Sequence, residues 1–390
     1  MKIDETKGVT TPAGFLAAGV AAGIKATPKK DLALVVCQGP QYQAGGVFTT
    51  NRFAAAPIVW SRRAVADEKL RAVVLNSGGA NACTGLQGAN DAEAMAVAVA
   101  AQLGCDPLDV AVCSTGLVGE LLPMNQVLTG ITMAAESLSS QAGADAAQAI
   151  LTTDTRSKQA AYCSDQGWKI GAMAKGAGML APQLATMLVV VTTDADLDGL
   201  PPTELLQAST RISFDRADSD GCMSTNDTVI LMANAASGVQ PDPGEFQAGL
   251  DAVCLSLAQQ LIADAEGAEH AIAVSVCQAA TEDDALEVAR AIARSNLVKC
   301  AIAGNDPNWG RVLASIGTTQ ASFDPDQVDV YFNGVPVFLN GAPAVPRDQV
   351  DLQGYDVTIE VVLRAGDQAA TIWTSDLTHG YVSENADYSS

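Results

Sequence analysis

The sequence predicts a layered α/β or α+β fold in which mixed sheets pack against helices, and two observations support this class. Short apolar runs alternate along the chain with segments of helical periodicity. The late strands include a hairpin, predicted at residues 328–340 around Asn333 and Gly334. Together they favour mixed sheets over a clean doubly wound sheet.

The individual elements follow from periodicity, capping residues and turn residues. The predicted strands, some with the loop that follows, are 71–85, 109–123, 187–193, 224–235, 271–277 and 328–340, then the segments DVTIEVVL and AATIWTSDL. The predicted helices are 90–104, 133–150, 245–267 and 281–297. Asn90 and Thr281 are the expected N-caps of two of them, and Gly143 weakens the middle of another. The unbroken run MLVVV indicates a strand buried on both faces.

The amino-acid composition limits which kinds of molecule can be the main binding partner. Lys and Arg number 22 against 44 Asp and Glu, a net charge of −22, which argues against nucleic acid or an anionic membrane as the main partner. The start of the chain lacks a signal-peptide pattern, and no apolar run reaches about 18 residues. We expect a soluble cytoplasmic protein of two or three domains, or of one elaborate domain; a boundary would fall near 185–200 or 236–244.

Few residues are available for metal binding or histidine catalysis. The nine cysteines show no CxxC spacing, and no His/Cys/Asp cluster has the spacing of metal ligands, so no metal site is predicted. A mechanism that uses a histidine base has only His270 and His379 to choose from.

Three small-residue loops, each expected to follow a strand, are candidates for presenting backbone N–H groups to an anion, at 76–85, 113–120 and 304–317. None contains the GxxxxGK[ST] pattern, so a nucleotide site is only weakly indicated. Each loop taken alone is better explained as a tight turn between packed elements.

The stretch KGAGMLAPQLATMLVVVTTDA, residues 175–195, runs from a glycine-bearing loop directly into an apolar strand. Thr186 at the junction is on one interpretation an ordinary strand residue. On another, cleavage between Ala185 and Thr186 frees an α-amino group of pKa about 7.7–8.0, which then serves as the base for its own hydroxyl. Lys175 is either a solvated lysine or a group that holds a substrate carboxylate.

Taken together, the motifs resemble one family over nearly the whole chain. In order they are NSGGANACTG, CSTGLVGELLPM, ILTTDT, KGAGMLAPQLATMLVVVTTDA, STNDTV, GNDPNWGRVLASIG and DLTHGYVSENADYSS. This set resembles the ornithine acetyltransferases, or glutamate N-acetyltransferases, of arginine biosynthesis. The resemblance implies the ornithine-acetyltransferase/DmpA-like fold.

The resemblance also implies an activity. Such enzymes cut themselves before the threonine of the ATML motif, here leaving an α chain of residues 1–185 and a β chain of residues 186–390 that carries a C-terminal mixed α/β domain. Thr186 then takes acetyl from N2-acetyl-L-ornithine and passes it to L-glutamate. An α2β2 heterotetramer is implied and no cofactor, although acetyl-CoA remains open as a co-substrate.

Motif positions carry the family's site residues onto this chain. Thr115 and Gly116 correspond to the oxyanion-stabilising pair, and Thr186 to the nucleophile at the Ala185–Thr186 cleavage site. The substrate contacts correspond to Thr153, Lys175, Thr186, Glu266, Asn385 and Ser390. The TTD segment can be matched to the family motif in two ways that differ by one residue, so Thr152 is the alternative to Thr153.

Departures and alternatives remain. The chain has Glu269 and His270 where the family usually has a threonine–lysine pair, and Cys222 and Met223 where small polar residues are common. The sequence does not separate an enzyme limited to acetylornithine from a bifunctional one that also uses acetyl-CoA. The alternative functions are a self-cleaving hydrolase or aminopeptidase, and a non-enzymatic protein that binds an amino acid.

Overall fold

Strands and helices alternate along the chain and confirm the mixed α/β class. The computed structural model describes residues 2–181 and 187–387. The strands are β1 (Phe15–Val20), β2 (Leu32–Cys37), β3 (Gln43–Phe48), β4 (Ala72–Gly79), β5 (Val110–Leu117), β6 (Lys158–Cys163), β7 (Lys169–Lys175), β8 (Leu188–Thr193), β9 (Thr228–Ala233), β10 (Ala271–Ala279), β11 (Asp329–Phe332), β12 (Val335–Leu339), β13 (Ala342–Pro343), β14 (Asp356–Val362) and β15 (Gln368–Ser375). The helices are α1 (Ala56–Ala64), α2 (Gly85–Leu103), α3 (Met124–Glu136), α4 (Gly143–Ala149), α5 (Pro202–Ile212), α6 (Pro243–Ile262), α7 (Glu282–Ala293), α8 (Asn296–Ala303), α9 (Trp309–Ile316) and α10 (His379–Asp387).

The strands of the described ranges form three sheets, each with parallel and antiparallel pairs. The four-stranded sheet has the order β1-β2-β4-β5, and the five-stranded sheet has the order β3-β9-β8-β7-β6. The six-stranded sheet has the order β13-β12-β11-β14-β10-β15. Parallel pairing is seen for β4 with β5, β8 with β9, and β10 with β14.

The four- and five-stranded sheets pack face to face between helices. Leu75 of the first sheet and Val190 and Ile230 of the second belong to one buried cluster between the sheets. The opposite face of β8 carries Val189 and Val191, which pack with α5 and α6, while α2 and α3 cover the outer face of the four-stranded sheet. All of β8 is buried, as the MLVVV run predicts.

A second hydrophobic core forms around the six-stranded sheet. Its buried residues come mainly from β10, β11, β12, β14 and β15 on the sheet and from α7, α8 and α9. The predicted hairpin is confirmed between β11 and β12, with Asn333 and Gly334 at positive φ as a type I′ turn requires. Thr281 caps α7 as predicted, since its side chain accepts from the N–H of Asp284.

The helix predicted over 133–150 is wrong. The helical residues lie in α3 and α4, separated by a turn in which Ser139 exchanges two backbone hydrogen bonds with Ala17 of β1. Gly143 begins α4 where a Cβ would lie 2.6 Å from the Thr10 hydroxyl. The pairing with β1 therefore overrides the helical propensity of the alanine-rich segment.

Two further predictions need correction. Helix α2 begins at Gly85, so Asn90 lies inside it and is not its N-cap; the Asn81 side chain donates to the carbonyl of Gly88 and so supports the earlier turn. The segment 304–317 does not follow a strand. It connects α8 to α9 and then forms α9, with the Asn308 side chain accepting from the N–H of Arg311.

No helix within residues 2–181 and 187–387 has the length and apolar character needed to cross a membrane.

The largest fully buried side chain, Trp168, sits in the core between the five-stranded sheet and α6, with ring contacts to Phe246 at 5.4 Å and Tyr162 at 5.5 Å. We expect Trp168→Ala to lower the free energy of unfolding by about 3–5 kcal/mol, because a large cavity is left in a rigid layer. Urea unfolding measures the loss. Trp309→Ala is the matched control on the less buried α9. An equal loss of unfolding free energy in the two variants would contradict the conclusion that the layer around Trp168 is the main core.

Candidate active site

Three neighbouring strands of the five-stranded sheet reach the candidate site at the same edge. Lys175, the last residue of β7, pairs with Leu188, the first of β8, and Leu188 pairs with Thr228, the first of β9. Met187 and Asp227, which precede β8 and β9, therefore lie at this edge as well. Ala185, Thr186 and Ser390 lie outside the described residues, so their predicted roles stay predictions.

Lys175 is the charged centre of the described part of the site, and it is only 1% exposed. Its Nζ donates to the hydroxyl of Thr152 at 2.7 Å and to that of Thr115 at 3.4 Å. An Asp154 carboxylate oxygen lies 3.7 Å from the same Nζ. Burial lowers the pKa of Lys175, and the nearby carboxylate opposes that effect. The buried side chain excludes the solvated-lysine alternative.

Asp154 links Lys175 to a second buried ion pair. Its Oδ1 accepts from Lys158 Nζ at 2.6 Å and from the backbone N–H of Gly176 at 2.6 Å. Lys158 also donates to Asp264 at 2.5 Å. Although burial opposes it, the two lysines hold the pKa of Asp154 below its usual range. Asp154 therefore stays ionised and fixes both the lysine and the start of the loop after β7.

Thr115 and Gly116 lie near the end of β5, beside the turn that leaves β4. Gly116 has φ of +129°, and a Cβ there would lie 2.6 Å from the backbone of Gly78 and Gly79. Only glycine fits this close approach of two strands. The Thr115 hydroxyl reaches Lys175, so the structure brings the predicted oxyanion pair and the predicted substrate lysine together.

Glu266 and Asn385 meet on the other side of the loop that follows Lys175. The Asn385 side-chain amide donates to Glu266 Oε2 at 3.1 Å. The Glu266 N–H donates to the carbonyl of Ala177 at 2.8 Å, and a Cβ on Gly178 would lie 2.3 Å from the Glu266 carboxylate. The acid is therefore packed against the glycine-bearing loop that follows Lys175.

The TTD segment places one threonine on Lys175 and opens into a cleft. The hydroxyl on Lys175 belongs to Thr152, whereas Thr153 is half-buried beside it. A cavity of about 620 Å³ is lined by Thr152, Asp154 and several basic and polar groups, including Lys25 and Lys29. The hydrogen bond to Lys175 favours Thr152 over Thr153 as the threonine that positions the lysine side chain.

Two carboxyl groups hold the backbone on either side of the cleavage stretch. Asp220 Oδ2 accepts from the N–H of Met179 at 2.6 Å, and Asp227 Oδ1 accepts from the N–H of Met187 at 3.2 Å. Burial raises the pKa of Asp220 to about 6. The chain is thus fixed at both ends of the segment whose cleavage the sequence predicts.

The departures from the family pattern are placed outside this cluster. His270 is buried, and its two ring nitrogens contact an Asp376 carboxylate oxygen at 2.7 Å and the carbonyl of Leu352 at 3.0 Å. The imidazole of His270 is therefore held between Asp376 and the backbone of Leu352. Met223 lies near Thr50, whose hydroxyl donates to its sulfur at 3.5 Å, and Cys222 is exposed.

Motifs and spacing in the sequence do not reveal the buried partners of the site. Asp154, Lys158 and Asp264 carry no motif-based role, and Asp264 is more than a hundred residues from the other two along the chain. Asp154 belongs to the ILTTDT motif, which contributes to the family resemblance, but the resemblance gives this residue no role. Among the described residues no group of three or more His, Cys, Asp or Glu side chains is placed to hold a metal ion.

At this edge of the five-stranded sheet lie a buried lysine, two threonine hydroxyls and two buried carboxylates, an arrangement typical of an enzyme site for a small polar substrate. The ArgJ family model matches residues 16–390, and the chain belongs to the ArgJ family.

Similar proteins cover almost the whole chain. The arginine biosynthesis bifunctional protein ArgJ of Streptomyces coelicolor is 56% identical over 98% of this chain and 100% of its own length. The protein of the same name from Thermobifida fusca is 56% identical over 98% of this chain and 99% of its own. The solved structure of ornithine acetyltransferase from Mycobacterium tuberculosis, complexed with ornithine, matches with a TM-score of 0.46 at 49% identity, over 48% of this chain and 99% of that chain.

We expect Thr152→Ala to reduce kcat/KM for acetyl transfer about 10- to 100-fold, because Lys175 loses its shortest hydrogen bond while remaining buried. Steady-state kinetics with the purified enzyme measures the loss. Thr129→Ala, on the exposed face of α3, is the control and should match the wild type. Thr153→Ala is measured beside it, and a loss confined to that variant would contradict the assignment of Thr152.

Proposed function

We propose that the chain moves acetyl from N2-acetyl-L-ornithine to L-glutamate through an acetyl ester on Thr186, in arginine biosynthesis. The observation that carries the proposal is the position of Lys175. It is buried against Thr152 and Thr115, and its strand pairs with β8, which begins two residues after Thr186. Membership of the ArgJ family supports the same function.

Self-cleavage between Ala185 and Thr186 is part of this proposal, giving chains 1–185 and 186–390. The described structure supports it through connectivity, since β7 and β8 flank the junction as antiparallel neighbours joined over six residue pairs. These strands lie in the middle of a five-stranded sheet. The two chains would therefore stay associated after the peptide bond is cut.

The free α-amino group of Thr186 is the proposed base for transfer. It takes the hydroxyl proton while the oxygen bonds to the acetyl carbonyl carbon of the donor. The tetrahedral oxyanion forms beside Thr115 and Gly116, and the carbon–nitrogen bond then breaks as ornithine takes the proton. Glutamate attacks the ester by the reverse sequence, which restores the threonine hydroxyl.

Charge complementarity supports zwitterionic amino acids as substrates. Lys175 supplies a cation for a carboxylate, and Glu266, held by Asn385, supplies an anion for an ammonium group. The chain as a whole carries a charge of −22, so a local cation is needed for an anionic substrate to bind. Ser390 remains a proposed further contact.

An α2β2 assembly, a cytoplasmic location and the lack of a cofactor belong to the same proposal. The hydrolase alternative is not favoured, because the relatives are biosynthetic proteins that match over 98% of this chain.

Replacing the proposed nucleophile tests the mechanism. We expect Thr186→Ala to remain a single chain of 40.0 kDa and to lose transfer, because neither the hydroxyl nor the new amino group forms. Cleavage is measured by intact mass spectrometry under denaturing conditions. Transfer is measured as the release of ornithine that depends on added glutamate. Thr186→Ser keeps a hydroxyl and should retain part of both. An uncut Thr186→Ala protein with full transfer activity would overturn the proposal.

The donor is settled by a separate assay. The relatives are named bifunctional, and Lys25 and Lys29 line the cleft beside Thr152. We therefore expect acetyl-CoA to serve as a second acetyl donor for glutamate. The two lysines would bind the phosphate groups of acetyl-CoA. Formation of N-acetylglutamate from each donor is measured on the same preparation, with Thr186→Ala as the blank. Activity with acetylornithine alone would contradict this expectation.

A further inference from the structure

Lys175 and Glu266, the two charged groups proposed to hold the substrate, are joined by a closed ring of contacts. On one side the backbone runs from Lys175 to Ala177, whose carbonyl accepts from the N–H of Glu266 at 2.8 Å. On the other side the connection passes through three side chains, those of Asp154, Lys158 and Asp264. Neither the resemblance nor the proposed transfer steps give these three side chains a role.

Asp154 is the first link on the side-chain half of the ring. Its carboxylate is 0% exposed, and Oδ2 lies 3.7 Å from Lys175 Nζ. Its Oδ1 accepts from the N–H of Gly176 at 2.6 Å and from Lys158 Nζ at 2.6 Å. Asp154 therefore fixes Lys175 both through the side-chain charge and through the backbone of the next residue.

Lys158 carries the connection across to the turn that follows α6. Its side chain is fully buried, and its Nζ donates to Asp264 Oδ2 at 2.5 Å. The same oxygen accepts from the N–H of Thr155 at 3.1 Å, and Asp264 Oδ1 accepts from the Thr155 hydroxyl. Both oxygens of Asp264 are therefore held by residues that lie close to Asp154 in the chain.

A tight turn from Asp264 to Glu266 closes the ring. The N–H of Asp264 donates to the carbonyl of Leu261 at 3.2 Å, which ties the turn to the end of α6. Gly267 has φ of +61°, and a Cβ there would lie 2.1 Å from the backbone nitrogen of Tyr381 in α10. The turn is therefore packed between two helices, and the position of Glu266 follows that of Asp264.

The ring sets the separation of the two substrate groups from two sides. Its side-chain links are buried charges, and a buried charge that loses its partner is strongly destabilised, so each link resists stretching. Every member of the ring lies within residues 2–181 and 187–387. Ion pairs that only compensated each other's charge could stand anywhere in the core, whereas these connect the proposed carboxylate-binding lysine to the proposed ammonium-binding glutamate.

We propose that Lys158 and Asp264 are positioning residues that determine specificity: they set the separation between the Lys175 ammonium and the Glu266 carboxylate, and so the length of the donor that fits between them. The proposal rests on the proposed function, in which these two groups hold a substrate carboxylate and a substrate ammonium. In N2-acetyl-L-ornithine the α-carboxylate and the side-chain ammonium lie at opposite ends of the molecule. A fixed separation therefore selects the length of the donor side chain.

Two donors that differ by one methylene group test this selection. N2-acetyl-L-lysine carries the same charged groups as N2-acetyl-L-ornithine on a side chain that is longer by one carbon. We expect the wild type to prefer acetylornithine by about 10- to 100-fold in kcat/KM, because the longer donor does not fit between fixed charges. Release of ornithine or lysine that depends on added glutamate is measured for each donor.

Asp264→Ala opens the ring while Asp154 keeps both of its lysines. We expect the preference for acetylornithine to fall at least about fivefold, mainly through a higher KM for this donor, with kcat changed by less than about threefold. The split follows because the variant loosens the binding of the donor and leaves the reacting groups in place. A purely structural role predicts a lower melting temperature with the donor preference unchanged.

Asp251→Ala is the matched control. Asp251 is a carboxylate on α6, the helix that leads to Asp264, and it accepts from the Ser209 hydroxyl at 2.6 Å and from the Gln247 amide at 2.7 Å. It belongs to no link of the ring. We therefore expect this variant to keep the donor preference of the wild type, whatever its melting temperature.

Thr155→Val is the second variant, and it decides the question if Asp264→Ala does not fold. It removes only the hydroxyl that donates to Asp264, at an exposed position, so the ring is weakened and not opened. We expect the preference for acetylornithine to fall by about two- to threefold, in the same direction as in Asp264→Ala.

The outcomes separate this proposal from the proposed function. Equal kcat/KM for the two donors in the wild type, an unchanged preference in the folded ring variants, or an equal fall in Asp251→Ala overturns the ring proposal and leaves the transfer reaction intact. A wild type that releases no ornithine when glutamate is added overturns both.

Discussion

The burial of the Lys175 charge is the constraint on which the site depends. A lysine that is 1% exposed loses its hydration, and leaving it unpaired would cost several kcal/mol. The fold meets this constraint with the Asp154 carboxylate and the hydroxyls of Thr152 and Thr115. The Asp154 carboxylate also forms an ion pair with Lys158, and Lys158 forms a second ion pair with Asp264, just after α6. One buried charge therefore fixes a loop, two strands and a helix end.

The sequence predicted the fold class and the site residues that have local signals. The buried strand β8, the hairpin at Asn333 and the cap at Thr281 follow from periodicity and turn chemistry, which act over a few residues. The family motifs led to Lys175 and Thr115, and the structure brings these two residues together.

What the sequence did not predict depends on contacts between distant segments. The break between α3 and α4 arises because Ser139 pairs with β1, more than a hundred residues earlier. Asp154 meets Asp264 only through Lys158, and no periodicity or spacing links these three positions. Likewise, Asp227 meets the N–H of Met187, forty residues earlier in the chain, because β8 and β9 lie side by side. Local pattern gives the elements, and tertiary contacts decide which side chains share a site.

Their surroundings shift the pKa values of the two buried carboxyls near Lys175, Asp154 and Asp227, in opposite directions. Asp154 has two lysines and a backbone N–H as partners, so its charge is compensated and its pKa is low despite burial. Asp227 has backbone N–H partners but no ion pair among the described residues, so burial prevails and its pKa is high. Separation of this kind is how a site provides a fixed anion and a proton donor at one pH. Here the anion orients Lys175, and the Asp227 carboxyl holds the backbone N–H of Met187 at the start of the neighbouring strand.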